Sequence, residues 1–311
     1  MFKLEKRRLL SLLVLFALST HSYAAIAGMQ NQENTITVAR SGGDFTSLEE
    51  AINSIDKAGE RNRYLILVGP GSFKILEPIE MKRWVSISGR GKNVTRLQGA
   101  TGDDNRPLFH GSRDSNISNL EIKMGMNSTN RSNTAIRNFS NGCPDLQNVA
   151  ITIKASSGIS PTALSSDSGC SFVLDNVDIS VNRSRGGRAV AIASLDSFKM
   201  RNSRVTANIA IAAEDNSFTV NASRISGLIE TYDADPSNTS GKFYDSILQS
   251  ANELVVTQST QIEGPLPLFF TRCSFITPNG LPEFAGNSDV SCTLSDNDRG
   301  SALNSNCAVT R

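Results

Sequence analysis

Two short stretches of this sequence carry charged side chains at a density that suits ligand binding. The first is a basic stretch around a Gly-Gly pair, with three arginines: Arg183, Arg185 and Arg188. It is compatible with contact to an acidic polysaccharide or with a solvated turn, which is the commoner case. The second is an acidic trio: Glu230, Asp233 and Asp235. Carboxylates are the ligands that calcium prefers, but a trio on a loop is more often solvated. No metal ion or other cofactor is therefore predicted.

The first 27 residues are predicted to be a cleaved secretory signal. Basic residues precede an apolar run, Leu9–Leu18, and small residues follow that run. Ten apolar residues extend about 15 Å as a helix, against about 30 Å for a bilayer core, so a membrane anchor is disfavoured. We expect a secreted or periplasmic protein that begins at Ala25 or Gly28 and has no membrane span after cleavage.

Charge and histidine content exclude several classes of function. The full chain has 31 basic and 30 acidic residues, and without residues 1–27 it has 27 and 29. It therefore lacks the basic field that nucleic-acid binding requires. His21 is lost with the signal, which leaves His110 as the single histidine of the mature chain. Ser-His-Asp, Cys-His and multi-histidine metal sites are excluded on that ground.

The five cysteines suit structural disulfides in an oxidising compartment, with one thiol left over. The sequence contains no CxxC pair, so zinc-ribbon and thioredoxin-like motifs are absent. A bridge between Cys292 and Cys307 would close a polar tail, 286–311, and is worth about 3 kcal/mol in the loop-entropy model. Cys143 and Cys170 fall on neighbouring repeats, where they suit either a bridge or two buried thiols.

A short pattern recurs seven times along the chain, a polar residue followed by residues of alternating polarity. The copies begin at these positions: Asn119, Asn148, Asn176, Asn202, Ala222, Asp245 and Cys273. Variable spacing around a constant strand is typical of a solenoid. The pattern predicts an all-β fold over 28–285, a right-handed, single-stranded parallel β-helix. An antiparallel sandwich also has regularly spaced strands, but Asn-Gly hairpin turns are scarce here.

The register of this pattern predicts three columns of stacked residues. Asparagines at the repeat starts are expected to form a hydrogen-bonded ladder. Aromatic residues four positions earlier are expected to stack inside the coils: Phe172, Phe198, Phe218 and Phe269. The strand centres are expected to stack in parallel, about 4.8 Å apart: Ile122, Ile151, Ile179, Val205, Ile225, Leu248 and Ile276.

Before the repeats, the spacing of apolar residues predicts a helix that closes the open end of the first coil. Its apolar positions are Leu48, Ala51, Ile52 and Ile55. Thr46 and Glu49 have the spacing of a capping box at its start.

The N-terminal sequence resembles that of pectinesterases and their relatives of the pectin-lyase-like β-helix class. Val38–Ile52 reads VARSGGDFTSLEEAI and is similar to the family's V-A-x-x-G-x-G-D-F-x-T-I-x-E-A-I. Val68–Lys74 resembles the family's V-x-P-G-x-Y step, although Ile75 stands where an acid is usual. Ile87–Thr95 is similar to its L-x-G-x-G-x-x-x-T step. The resemblance is specific over 36–99 and implies the parallel β-helix fold.

The same resemblance implies a catalytic site built from two aspartates, glutamine donors and an arginine for the uronate carboxylate. Matched position by position, Glu230 replaces the nucleophilic aspartate and is the candidate catalytic residue. Arg188 stands where a glutamine is usual and is the candidate substrate-binding residue. Ile209 and Ala210 occupy the place of the family's Gln-Asp pair, and its G-R-P-W motif is absent. Ester hydrolysis needs a nucleophile, an oxyanion hole and a proton source. Standard pectinesterase catalysis is therefore not expected.

The leading hypothesis is an exported β-helix protein that contacts an acidic polysaccharide without standard esterase catalysis. A second hypothesis is an active carbohydrate esterase or lyase with a site around Glu230. A third is a structural or adhesive surface protein. Fold alone does not decide among them.

Overall fold

The structure is a computed structural model of the 311-residue chain. It describes residues 34–99, 107–126, 132–138, 142–156, 159–166, 171–183, 188–194, 197–214, 217–232, 240–250, 255–258, 266–277, 284–285, 288–293, 295–297 and 302–305. The predicted signal at 1–27 lies outside these residues, and its cleavage stays a prediction.

The described strands, numbered here in chain order, form a parallel β-solenoid with three ladders, A, B and C. The chain visits the ladders in the order A, B, C, and each strand pairs in parallel with its equivalents in the coils before and after. This confirms the predicted parallel β-helix and excludes the antiparallel sandwich. Parallel crossovers are right-handed in about 98% of cases, so a right-handed winding remains the expectation.

Ladder A contains β1 (Asn34–Val38), β2 (Tyr64–Val68), β5 (Val85–Ser88), β8 (Asn116–Met126), β10 (Asp145–Ala155), β12 (Phe172–Asp175), β15 (Phe198–Arg201), β17 (Ser217–Asn221), β19 (Ser240–Tyr244), β22 (Leu266–Thr271) and β25 (Ser288–Thr293). Ladder B contains β3 (Gly71–Ile75), β6 (Thr95–Gly99), the ends of β8 and β10, β13 (Asp178–Arg183), β16 (Arg204–Glu214), β18 (Arg224–Tyr232), β20 (Ile247–Gln249), β23 (Ser274–Ile276) and β26 (Asp296–Asn297). Ladder C contains β4 (Ile79–Glu80), β7 (Phe109–His110), β9 (Ser132–Asn138), β11 (Ser160–Ser166), β14 (Val190–Ser194), the ends of β16 and β18, β21 (Val255–Gln258) and β24 (Phe284–Ala285).

The corner between ladders A and B is a single residue in the left-handed conformation. In successive coils this residue has φ between 46° and 55°: Asn119, Asn148, Asn176, Asn202, Ala222, Asp245 and Arg272. Asparagine tolerates this conformation better than other non-glycine residues, which explains why it recurs there. Asn148 Nδ2 donates to Asn119 Oδ1 at 2.8 Å, and Asn176 Nδ2 donates to Asn148 Oδ1 at 3.2 Å. The predicted ladder therefore exists over these coils.

At later corners the amide ladder gives way to charged groups. Asn202 Nδ2 donates to Asp175 Oδ1 rather than to Asn176. Arg272 donates from Nε and Nη2 to the two carboxylate oxygens of Asp245, at 2.6 and 2.7 Å. These hydrogen bonds hold the pKa of the Asp245 carboxyl below its ordinary value. The last corner is thus stabilised by a bidentate ion pair.

The strand centres of ladder B form one buried column, as predicted except at its last position. Ile122, Ile151, Ile179, Val205, Ile225 and Leu248 are at most 2% exposed. The next member is Phe275, since it pairs with Leu248, whereas Ile276 pairs with Gln249. The predicted position of Ile276 is therefore wrong by one residue, because the corner is Arg272 rather than Cys273.

Cys273 follows the corner and belongs to a row of small inward-facing polar residues. Ser203, Ser223 and Ser246 occupy the same place in earlier coils, and each hydroxyl donates to the carbonyl two residues before it. The hydroxyl also accepts the backbone N–H of the preceding coil, as Ser223 Oγ does from Ser203 N at 3.1 Å. Cys273 is buried, and burial raises the pKa of its thiol to about 11. It is a packed thiol rather than a reactive one.

An aromatic stack runs through the interior, but its later members differ from the prediction. Phe172, Phe198 and Phe218 stack with ring centroids 5.5 and 5.1 Å apart. Phe243 continues the stack edge-on, and the next members are Phe270 and Phe275. Phe269, which the sequence pattern placed inside, is 41% exposed and pairs with the exposed Lys242.

Helix α1, Leu48–Asn53, lies in the chain between β1 and β2 and buries Leu48, Ala51 and Ile52. Its N-cap is Ser47, whose Oγ accepts from the backbone N–H of Glu50, so the predicted box of Thr46 and Glu49 is wrong by one residue. That α1 closes the end of the first coil stays a prediction. No helix in the described ranges is long and apolar enough to span a membrane.

The Gly-Gly-Asp turn before α1 has a structural explanation. Asp44 Oδ2 accepts from the backbone N–H and the hydroxyl of Thr37, both at 2.7 Å. These two bonds lower the pKa of the Asp44 carboxyl. The motif that carries part of the family resemblance therefore closes a turn on β1.

The parallel ladders continue beyond residue 285, the predicted end of the β-helix. Strand β25 pairs along its length with β22, and β26 pairs with β23. Part of the stretch assigned to a C-terminal tail is thus solenoid. Its serines and aspartates give a weak apolar alternation, so the sequence pattern did not reveal these strands.

Candidate functional site

The outward side of ladder C contains an unbroken column of equivalent residues. Strand register places one residue from each coil in it: Glu80, His110, Arg137, Ser165, Ala193, Ala212, Glu230, Val256 and Ala285. Parallel strands are about 4.8 Å apart, so this outer column repeats at that interval along the solenoid. Glu230 belongs to this outer column, whereas Arg188 lies just before the strand that contributes Ala193 to it.

Arg188 and Glu230, the two candidate site residues from the sequence, meet on this side of ladder C. Arg188 Nη2 donates to Glu230 Oε2 in an ion pair. Arg188 precedes β14 and Glu230 lies in β18, so the arginine reaches across the intervening coil of β16. The residue of that coil beside Glu230 is Ala212, whose methyl group leaves room for the guanidinium to pass.

The two partners differ sharply in exposure. Glu230 is 8% exposed, whereas the Arg188 side chain is 49% exposed. A buried carboxylate requires a charged or hydrogen-bonding partner, and Arg188 supplies one. Half of the Arg188 side chain stays exposed, so a ligand can reach it from solvent.

Hydrophobic side chains form a patch beside the ion pair. Val190, Ile209 and Ala212 are at most 9% exposed and cluster apart from the main core. Ala193 and Leu228 pack against them. Register places Val190, Ile209 and Leu228 in a second column of ladder C, two or three positions before the outer column. The candidate site thus combines a half-exposed arginine with a mostly buried apolar patch, whose partly exposed members are Ala193 and Leu228.

The position-by-position match to the pectinesterase pattern misplaced one residue. Ala210 was matched to the acid/base aspartate, but it is 0% exposed and lies in the core. The residue next to Glu230 in the preceding coil is Ala212, and the residue in the following coil is Val256. The physical reason is an irregularity in the register of β16 and β18 between Thr206 and Ile211. Neither ladder neighbour of Glu230 carries a carboxyl group.

The structure describes little of the other charged residues predicted near the site. Arg185, Asp233 and Asp235 lie outside the described residues, and Arg183 is described only as the last residue of β13. Their contact with Arg188 or Glu230 stays a prediction. Within the described ranges no group of three or more His, Cys, Asp or Glu side chains is arranged to hold a metal ion.

Sequence reasoning missed the polar residues at the N-terminal end of the outer column. His110 Nε2 lies 3.3 Å from Glu80 Oε1, and Arg137 pairs with His110 in the ladder. Strands β4 and β7 have two residues each, too short for the repeat pattern to place them in register. Only the ladder itself shows that these residues share a column with Glu230.

The fold and site together define a parallel β-solenoid with an ion-paired carboxylate on one outer face. No protein-family profile matches the chain, and no curated protein matches it. One similar solved structure is the A-module of a mannuronan C-5 epimerase from Azotobacter vinelandii. It is 13% identical in sequence, the alignment covers 81% of this chain and 90% of that chain, and the TM-score is 0.37. Two pectin methylesterase structures in complex with hexasaccharides have 11% and 10% identity, cover 88% of this chain and 92% of theirs, and have TM-scores of 0.39.

Proposed function

We propose that this chain is an exported β-solenoid protein that binds an acidic polysaccharide along the outer side of ladder C without hydrolysing or eliminating it. One observation carries the proposal. Glu230 is buried and ion-paired with Arg188, while its ladder neighbours Ala212 and Val256 have no acid function. A nucleophilic carboxylate needs open access to the ester carbon and a nearby proton donor. The burial of Glu230 restricts access to its carboxylate, and neither ladder neighbour can supply a proton.

The geometry favours binding of an extended, negatively charged chain. The outer column repeats about every 4.8 Å, so a polymer lying along it meets equivalent positions in successive coils. Arg188 presents a half-exposed guanidinium, the group that best matches the planar carboxylate of a uronate. The partly exposed Ala193 and Leu228 of the neighbouring apolar patch suit the hydrophobic face of a sugar ring. The near-zero net charge of the chain makes such attraction local rather than global.

A binding assay with two opposite substitutions tests this proposal. We expect wild-type protein to release no methanol from methylated polygalacturonate and to form no unsaturated product. We expect it to bind polygalacturonate saturably, and more weakly as salt is raised. Arg188→Ala should weaken binding about tenfold, because one charge-assisted contact is lost. Glu230→Gln should retain or strengthen binding, because it removes a negative charge and frees Arg188 donors.

Arg201→Ala is a matched control for this assay. Arg201 is also an exposed arginine paired with an acid, Asp175, but it projects from ladder A. Its loss should leave polygalacturonate binding unchanged. Methanol release that disappears in Glu230→Gln would instead establish an esterase with a site at Glu230. Absence of both release and binding would leave a structural or adhesive role.

Export and disulfide formation are part of the proposal. Cys273 is a free, buried cysteine, and we propose that Cys143 and Cys292 are each disulfide-bonded. Cys170 and Cys307 lie outside the described residues, and we propose them as the partners of Cys143 and Cys292 respectively. The backbone N–H of Cys292 donates to the carbonyl of Ser305 at 2.9 Å, which brings the chain just before Cys307 alongside Cys292. Cys143 and Cys170 precede strands β10 and β12, which pair in ladder A.

Intact-mass analysis of exported protein tests processing and pairing together. We expect the mature chain to begin at Ala25 or Gly28. Alkylation in denaturant should modify one thiol, Cys273, without reductant, and all five cysteines after reduction. A retained N-terminal segment would contradict export by a cleaved signal. Three or more modified thiols without reductant would contradict the two bridges.

A further inference from the structure

The single tryptophan of the chain contacts two arginines at the corner between ladders C and A. The guanidinium carbon of Arg63 is 4.5 Å from the centroid of the Trp84 ring, and that of Arg83 is 4.6 Å from it. Trp84 connects β4 of ladder C to β5 of ladder A. Arg63, Trp84 and Arg83 are called the Trp84 cluster below.

The backbone of this cluster is held in an unfavourable conformation. Trp84 has φ of 67°, in the left-handed region that bulky residues rarely adopt. The equivalent residue of the next coil is Asp114, which also has a positive φ and suits it far better. A strained backbone under an aromatic residue is a reason to look for function at the position.

Both arginines keep donors that the described residues do not use. Arg63 donates from Nε to the carbonyl of Glu60, and Arg83 donates from Nε to Asp114 Oδ2 at 2.5 Å. In the part of the chain that the structure describes, the terminal nitrogens of both guanidinium groups make no hydrogen bond. The two positive groups over one ring also repel each other, and only Arg83 has a carboxylate partner there. A carboxylate bound at either guanidinium would use these donors and offset its positive charge.

We propose that the Trp84 cluster is a second binding site for carboxylate groups of the same acidic polysaccharide. This inference rests on the proposed function, since it assigns to that ligand a contact distant in sequence from Arg188. Contact with the indole restricts the guanidinium groups, and planar guanidinium groups recognise carboxylates through paired N–H donors. The partly exposed indole and Arg83 give a short oligomer access to these donors.

Tryptophan fluorescence gives a direct test, because Trp84 is the only tryptophan. We expect trigalacturonate to change the emission saturably at constant ionic strength, and sodium chloride or maltotriose to leave it unchanged. Arg63→Ala and Arg83→Ala should each raise the half-saturating concentration about tenfold. Arg83→Lys should raise it less, because it keeps the charge but loses the planar donor pair. Arg201→Ala should behave as wild type, and circular dichroism should confirm that each variant keeps its strands.

The outcomes separate this inference from the proposed function. A wild-type emission that does not respond, or that responds equally in Arg63→Ala, would overturn the second site even if polygalacturonate binding depends on Arg188. Conversely, the fluorescence response could depend on Arg63 and Arg83 while Arg188→Ala leaves polygalacturonate binding unchanged. That result would overturn the role given to Arg188 and would support the second site. Arg188→Ala should leave the fluorescence response to trigalacturonate intact.

Discussion

Replacement of Phe270 by alanine is expected to lower the free energy of unfolding by about 3–5 kcal/mol, because it leaves a cavity in the aromatic stack. Phe270 is 1% exposed, and its ring lies 4.8 Å from that of Phe243 in a stacked arrangement. Its ring also meets Phe275 edge-on at 5.1 Å. The loss combines the transfer free energy of a phenyl ring with the dispersion contacts of both neighbours.

Phe269→Ala is the matched control, one residue away and of the same chemistry. Phe269 is 41% exposed on the outer side of ladder A, so its loss should change the free energy of unfolding by less than about 0.5 kcal/mol. Urea denaturation without reductant, followed by circular dichroism, measures both. Because solenoids can unfold in segments, coincidence with a second probe is needed before fitting two states. Equal losses for the two variants would contradict the register described here.

The difference between these adjacent phenylalanines also shows where sequence reasoning failed. Asparagine marks the corners of the early coils because it tolerates positive φ, and that signal placed the register correctly from Asn119 to Asn202. The last corner is Arg272, a residue with no such preference, and the ion pair with Asp245 becomes visible only in three dimensions. The predicted register was therefore wrong by one residue in this coil, and it placed Phe269 rather than Phe270 in the interior.

The aromatic residue of the stack moves by two positions along the strand between the coils of Phe218 and Phe243. Gly241 stands where Phe218 has its ring one coil earlier, and a Cβ at Gly241 would lie 2.6 Å from Phe218 Cζ. The missing side chain makes space that Phe243, two residues later, fills edge-on. Such compensation between neighbouring coils is a property of packing, so repeat alignment cannot find it.

The candidate site was predictable in its residues but not in its geometry. Arg188 and Glu230 were both identified, although 42 residues separate them. Their contact depends on the small side chain of Ala212 and on the irregular register between β16 and β18. A sequence match assumes a constant register, and it therefore assigned the neighbouring position to the buried Ala210. Bulges of this kind redirect side chains and are common near functional sites.

Substitution of Gly227 by alanine is expected to lower the free energy of unfolding by at least about 2 kcal/mol and to disrupt the Arg188–Glu230 pair. Gly227 has φ of 135°, which L-residues rarely adopt. An added Cβ would lie 2.1 Å from the carbonyl oxygen of Ala207, a backbone atom that cannot rotate away. Since Gly227 directs β18 from ladder B into ladder C, relief of this clash must shift the strand that carries Glu230.

Gly125→Ala is the control, because Gly125 is also a strand glycine but a Cβ there would meet nothing within 4 Å. It should be neutral or slightly stabilising, since alanine reduces the entropy of the unfolded chain. Urea denaturation and polygalacturonate binding are measured on both variants. We expect Gly227→Ala to weaken binding about tenfold or more, because a shifted β18 displaces Leu228 and the acceptor oxygen that orients Arg188. Glu230→Gln leaves the strand in place and keeps such an acceptor in its amide oxygen. Full binding in a destabilised Gly227→Ala protein would show that the ligand contacts a part of ladder C whose position does not depend on β18.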